Sequence, residues 1–146
     1  MGEAGLDFIK DDELQTDGPV CPFDERVARV CEALDRVAQR TGRRPMFAFN
    51  LTGEVDEMRR RHDVVVRHGG TCVMVVLASA GLAGMSALRT QATLPIHGHR
   101  AGWGALSRAP LLGWSYAAWS KLWRLAGADH LHVNGLRNKF CEPDAS

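Results

Sequence analysis

Five short apolar runs separated by four segments of helical periodicity constrain this chain more than any other feature. The first run is Leu6 to Ile9, interrupted only by Asp7 and ending abruptly in Lys10-Asp11-Asp12-Glu13. After a polar turn, Pro22 suits a first helical position, and Phe23, Val27, Val30, Leu34, Val37 and Ala38 recur at steps of three and four up to Gly42. Pro45 to Asn50 reads as a buried strand, and Glu54 to about His68 as a second helix with Val55, Met58 and His62 on its inner side. A helix histidine in that setting is by default a partly buried structural residue. Cys72 to Ala78 is nearly all apolar and valine-rich, the signature of a parallel strand covered on both faces. Ser79-Ala80-Gly81 reads as a turn, Gly84 to Thr90 as a short helix and Leu94 to His99 as a strand. Arg100 to Trp114 reads as a loop, Ser115 as the N-cap of a helix running to Ala126, and His130 to Val133 as the last strand.

Such alternation predicts an α/β fold with a parallel sheet and right-handed crossovers. Function in parallel α/β folds gathers at the carboxyl ends of the strands. Those ends read Lys10-Asp12-Glu13, Asn50, Ser79, His97/His99-Arg100 and His132, whereas the strand starts Pro45, Thr71 and Leu94 are chemically bland. That asymmetry points to an enzyme. Phe8, Phe47, Phe49, Val73, Val75, Ile96 and Leu131 are the candidates for side chains facing the interior of the sheet.

Strand alternation puts Phe8, Lys10 and Asp12 on one face, and Glu13 joins them where the strand gives way to loop. Two carboxylates so close repel unless a cation lies between them. A divalent ion such as Mg²⁺ or the Lys10 ammonium itself would serve, so the residues alone allow a metal site or a salt-bridged turn. His97-Gly98-His99 and His130-Leu131-His132 each put two imidazoles on one strand face. Such pairs suit Zn²⁺, substrate contact or a polar barrel interior. The Arg100 guanidinium fork suits phosphate or carboxylate.

At 146 residues and 45% hydrophobic, the chain holds one domain's worth of sequence. A formal charge of +1 and short basic runs without interleaved aromatics argue against nucleic-acid binding. Cys21, Cys31, Cys72 and Cys141 form no C-x-x-C pair, the opening residues lack a secretory-leader pattern, and no apolar run nears the ~20 residues of a membrane span. A cytoplasmic protein without membrane association is expected.

Three motifs carry a resemblance. Gly5-Leu6-Asp7-Phe8-Ile9-Lys10-Asp11-Asp12-Glu13 resembles the G-x-D-x-x-K-D-D-E segment of the RuBisCO large-subunit superfamily. Leu94 to Ala101 is similar to its L-x-x-H-x-H-R-A strand, and Gly127 to His132 to its G-x-D-H-x-H strand. Lys139, seven residues after His132, falls where that family places the lysine of a mobile loop. The resemblance implies that Lys10, carbamylated by CO₂, holds Mg²⁺ with Asp12 and Glu13. It implies that Lys10, His99 and Lys139 are catalytic, and that His99, Arg100, His132 and Lys139 meet a phosphorylated sugar or sugar-acid substrate. It further implies a homodimer or higher homo-oligomer.

Departures narrow the expectation. Asn138-Lys139-Phe140-Cys141 replaces the carboxylating enzymes' G-K-x-E pattern, Gly102-Trp103-Gly104 replaces Met-His-Ala, and Val133-Asn134-Gly135 replaces Ser-Gly-Thr. Together with the Trp114–Trp123 segment, they make the chain look most like a RuBisCO-like protein, which forms an enediolate or enolate from a phosphorylated ketose or keto-sugar acid and uses it otherwise. A carboxylase proper, an amidohydrolase-like metal hydrolase and a non-catalytic remnant are the alternatives. A (β/α)₈ barrel takes about 250 residues. The expected fold is therefore a partial TIM barrel over residues 1–146, about strands two to six, incomplete at both ends and without the family's N-terminal domain.

Overall fold

The computed structural model describes residues 2–107, 111 and 113–133. Its strands are β1 (Phe8–Lys10), β2 (Met46–Asn50), β3 (Cys72–Val76), β4 (Ile96–His99) and β5 (His130–Leu131). The helices are α1 (Phe23–Thr41), α2 (Val55–Arg67), α3 (Leu77–Arg89), α4 (Trp103–Ser107) and α5 (Tyr116–Leu125), after a 3₁₀ turn at Gly2–Ala4. The sheet order is β1-β2-β3-β4-β5, and every neighbouring pair is parallel. The fold is thus an α/β partial barrel: the parallel sheet is the one the alternation predicts, and its partial-barrel form is the one the family resemblance implies. Among the described residues no helix is long and apolar enough to cross a membrane.

Local signals set the helix ends. Gly42 closes α1 at φ 72°, a left-handed conformation open to glycine, and its N–H reaches Ala38 O. The Ser115 side chain accepts from Ala118 N at 3.2 Å and starts α5. His62 is buried in α2, and its Nε2 accepts from Thr93 N at 3.2 Å.

One face of the sheet carries Phe49, Val73, Val75 and Ile96, which form the main core with Phe23 and Val27 of α1, Met58 and Val65 of α2, Met85 and Leu88 of α3, and Trp119 of α5. Phe47 and Leu131 pack against the same core. These residues therefore face the helices, which corrects their expected place in the sheet interior; of that set, only Phe8 lies on the inner face. The inner face carries Met46, Ala48, Cys72 and Met74, with Phe8 packed on His97 and His130. Apolar residues occur on both sides of β2 and β3, so hydrophobicity alone could not tell the faces apart.

Two elements differ from expectation. The strand expected through Ala78 ends at Val76, and α3 begins at once with Leu77, with Gly81 (φ 66°, ψ 174°) breaking it where a turn was expected. Leu77 turns into the layer between sheet and helix, where an added Cβ on Gly98 would lie 2.9 Å from its Cδ1. The loop expected from Arg100 holds α4, whose Trp103 is buried against Tyr116 and Trp119.

Candidate active site

The Lys-Asp-Asp-Glu stretch splits into an inward and an outward part. Asp11 turns back into the protein, where its Oδ2 accepts from Asn50 N at 3.0 Å and from Arg26 Nε at 3.2 Å. Burial pushes its carboxyl above the ordinary value, against the lowering effect of those same partners. Arg26 also donates to Cys21 O, Gln15 O and Thr16 O, so one guanidinium ties the loop after β1 to α1. Arg26 and Arg61 lie 5.2 and 5.7 Å from the Phe23 ring centroid.

Lys10 points the other way, and its Nζ donates to Asp11 O at 2.9 Å and to Glu13 Oε2 at 3.3 Å. Asn50 fixes the backbone beneath: its Nδ2 donates to Asp12 O at 3.2 Å and Glu13 O at 3.0 Å. Its Oδ1 accepts from Thr52 N and from Thr52 Oγ1 at 2.6 Å, and Thr52 Oγ1 accepts from Val76 N at 2.9 Å. The ends of β1, β2 and β3 are thereby joined through side-chain hydrogen bonds.

The four histidines of β4 and the β5 end lie on the inner face in two tiers. In the deeper tier, His97 Nδ1 and His130 Nδ1 are 2.8 Å apart, Phe8 packs on both rings, and Cys72 Sγ lies 3.7 Å from His130 Nε2. Burial, reinforced by the neighbouring imidazoles, pulls His97 down to about 3. Burial also pushes the Cys72 thiol up to about 12. This tier is uncharged at neutral pH.

The upper tier joins His99 and His132, whose ring centroids are 4.5 Å apart, to Lys10 and Glu13. His99 Nδ1 accepts from Ala101 N at 3.2 Å, which places the ring proton of the neutral imidazole on Nε2. That nitrogen lies 3.6 Å from Glu13 Oε2, beyond hydrogen-bond length. Burial, then His132 and Lys10, pull His99 down to about 4, and burial lowers His132 too. The contact with Glu13 is therefore one between a neutral imidazole and a carboxylate. A backbone N–H, with His99 and Lys10 alongside, holds Glu13 below the usual carboxylate range.

The structure thus brings Lys10, Glu13, His99 and His132 together. Arg100 follows directly, with its Nε buried and without a hydrogen-bond partner among the described residues, and its charge lowers both His99 and His132. Asp12 is exposed, and its Oδ1 accepts from Leu14 N at 2.8 Å, so the recorded contact of its carboxylate is to a turn. Ser79 lies exposed in the first turn of α3, and Lys139 lies outside the described residues. Among the described residues no group of three or more His, Cys, Asp and Glu side chains is arranged to hold a metal ion. Sequence reasoning missed Asp11 and Arg26 as braces. The signals were an arginine three residues after Phe23 on the apolar stripe of α1, and an aspartate on the face opposite Lys10.

Known proteins match the chain at this point. The family model described as ribulose bisphosphate carboxylase large chain, catalytic domain, matches residues 1–146. A 3-oxo-isoapionate-4-phosphate transcarboxylase/hydrolase of Xanthobacter autotrophicus is 63% identical over 97% of this chain and 34% of its own length. A 3-oxo-isoapionate-4-phosphate decarboxylase of Rhizobium etli is 42% identical over 98% of the chain and 34% of its own length. The crystal structure of a rubisco-like protein from Burkholderia fungorum superposes with a TM-score of 0.92 at 46% identity, covering 98% of this chain and 35% of that one. The chain spans about a third of the length of the curated relatives it matches.

Proposed function

The chain belongs to the ribulose bisphosphate carboxylase large chain catalytic-domain family, and on that footing we propose that it supplies part of the active site of a homo-oligomeric enzyme that forms an enolate from a phosphorylated 3-oxo sugar acid. The observation that carries this is the convergence of Lys10, Glu13, His99 and His132 at one end of the sheet. The 63% identity to a transcarboxylase/hydrolase of such a compound supports the substrate class. A 3-oxo acid reaches an enolate by losing its carboxylate: the carbon–carbon bond to that group breaks, its electron pair moves toward the carbonyl oxygen, and CO₂ leaves.

Mg²⁺ is part of the proposal, and the donor set fits it. As an ammonium, Lys10 satisfies Glu13. As a carbamate it would become an oxygen donor, and its reversed sign would leave Glu13 beside a second anion that only another cation can reconcile. Lys10, Asp12 and Glu13 would then hold the ion, once the Asp12 carboxylate leaves Leu14 N. When bound, Mg²⁺ supplies a Lewis acid that lowers the cost of negative charge on the carbonyl oxygen. His99, neutral with its proton on Nε2, donates a hydrogen bond without protonating the substrate outright. His132 walls the same space, and Arg100, whose Nε lacks a partner among the described residues, takes the phosphate.

The test uses the full-length protein with a phosphorylated 3-oxo sugar acid and Mg²⁺, following CO₂ release and solvent-deuterium incorporation beside the carbonyl. Both should occur in the wild type and vanish in Lys10→Ala. Wild-type rates in Lys10→Ala would overturn the proposal.

A further inference from the structure

Tyr116, the first residue of α5, donates its hydroxyl to His132 O at 2.8 Å. β5 ends at Leu131, so His132 lies beyond the strand, with its N–H bonded to Gly98 O at 2.9 Å. The strand holds the amide side of His132, and Tyr116 holds the carbonyl side. Tyr116 is itself firmly set. Its ring stacks on Trp119 at 5.5 Å and 23°, and meets Trp103 edge-on at 5.5 Å; both tryptophans are buried. The Ser115 cap fixes the turn from which it projects. Trp103 is in turn joined to the Arg100 segment, its N–H donating to Arg100 O at 2.9 Å.

We propose that Tyr116 is a positioning residue for substrate binding: by holding the His132 carbonyl it fixes the residue's backbone torsion and keeps the imidazole against His99. This rests on the proposed function for the role of His132 as a substrate contact. The hydroxyl is the only group needed, because the aromatic packing belongs to the ring. Tyr116→Phe therefore removes the tether and leaves the Trp103–Trp119 contacts in place. Loss of one neutral hydrogen bond corresponds to an effect of about two- to ten-fold.

The experiment uses the full-length protein as wild type, Tyr116→Phe, His132→Ala and the double variant. KM and kcat are measured with a phosphorylated 3-oxo sugar acid. Affinity is measured by calorimetry with a tetronic acid 4-phosphate, which lacks the ketone and so cannot decarboxylate. Tyr116→Phe should raise KM and the calorimetric Kd by about two- to ten-fold with kcat within about two-fold of wild type. In the His132→Ala background the same substitution should change Kd by less than about 1.5-fold, because the residue it acts through is gone. An unchanged Kd in Tyr116→Phe, or an equal change in both backgrounds, overturns the proposal. A wild type that binds the tetronic acid phosphate without turning over the 3-oxo acid sinks the proposed reaction and leaves this binding test intact. A wild type that binds neither overturns both.

Discussion

The Nδ1 atoms of His97 and His130 face each other across 2.8 Å, so one ring donates the proton that the other accepts. The pair is satisfied while both rings are neutral, and double protonation would set N–H against N–H. With His99 and His132 it forms a set of four imidazoles, all held below the ordinary value by burial.

Stability should therefore fall on acidification. Above pH 6.5 these groups are neutral in both folded and unfolded chains, and their contribution is fully present. Below 6.5 the unfolded chain takes up protons that the folded one refuses, until His99 titrates at about 4 and His97 at about 3. Thermal melts of the full-length protein from pH 7 to pH 4 should show a steady decline in Tm. His97→Gln should make that decline shallower, and an unaltered slope would refute this account.

Arg26 and Asp11 form an ion pair with side chains only 8% and 7% exposed. Removing one partner strands a buried charge, a cost of about 3–5 kcal/mol. Arg26→Ala should lower the unfolding free energy in urea by that amount. Arg26→Lys should recover little of it, since an ammonium cannot reach Asp11, Cys21 O, Gln15 O and Thr16 O from one fork.

Asn50 contacts the backbone carbonyls of Asp12 and Glu13. In Asn50→Ala the proposed ligand loop loses its support, so the Mg²⁺ concentration for half-maximal activity should rise by about 10–100-fold, as it does when outer partners of metal ligands are removed. Activity measured against Mg²⁺ concentration checks this; an unchanged midpoint with lower activity would place Asn50 elsewhere in the mechanism.

Gly98 has no room for a side chain. An added Cβ would lie 2.7 Å from Leu131 Cδ2 and 2.9 Å from Leu77 Cδ1. Both neighbours are side-chain ends that can shift at some cost, so Gly98→Ala should destabilise by about 1–3 kcal/mol. Chemical denaturation measures it, and a neutral result would mean that the layer between sheet and α3 repacks freely.

The alternation of five strands and intervening helices was legible because the helices keep their own apolar stripes and their own start or stop signals, such as the Ser115 cap or Gly42. The upper tier was legible because Lys10, Glu13, His99, Arg100 and His132 all stand at or just past strand ends. The end of β3 was not, since Leu77 and Ala78 are as apolar as the strand before them and only the backbone records the change. Nor was the sense of the two sheet faces, because Met46 and Met74 on one are matched by Phe47 and Val73 on the other. The tether from Tyr116 to His132 joins a helix start to a strand end through a backbone carbonyl, a partner that no side-chain pattern records.

The unbroken β1-to-β5 order also has a kinetic side. Each strand pairs with the one synthesised just before it, so the growing chain can add strands without waiting for distant segments, and the loops to be closed stay short. Contacts between the β1 end and the last two strands, such as Glu13 with His99 and Phe8 with His97, are the exceptions, and the farthest-reaching is that of the Phe8 ring with His130. That contact needs the longest loop among those described, so the curl of the sheet onto β1 is expected to come late in folding, when β5 has emerged and Phe8 packs against the paired imidazoles.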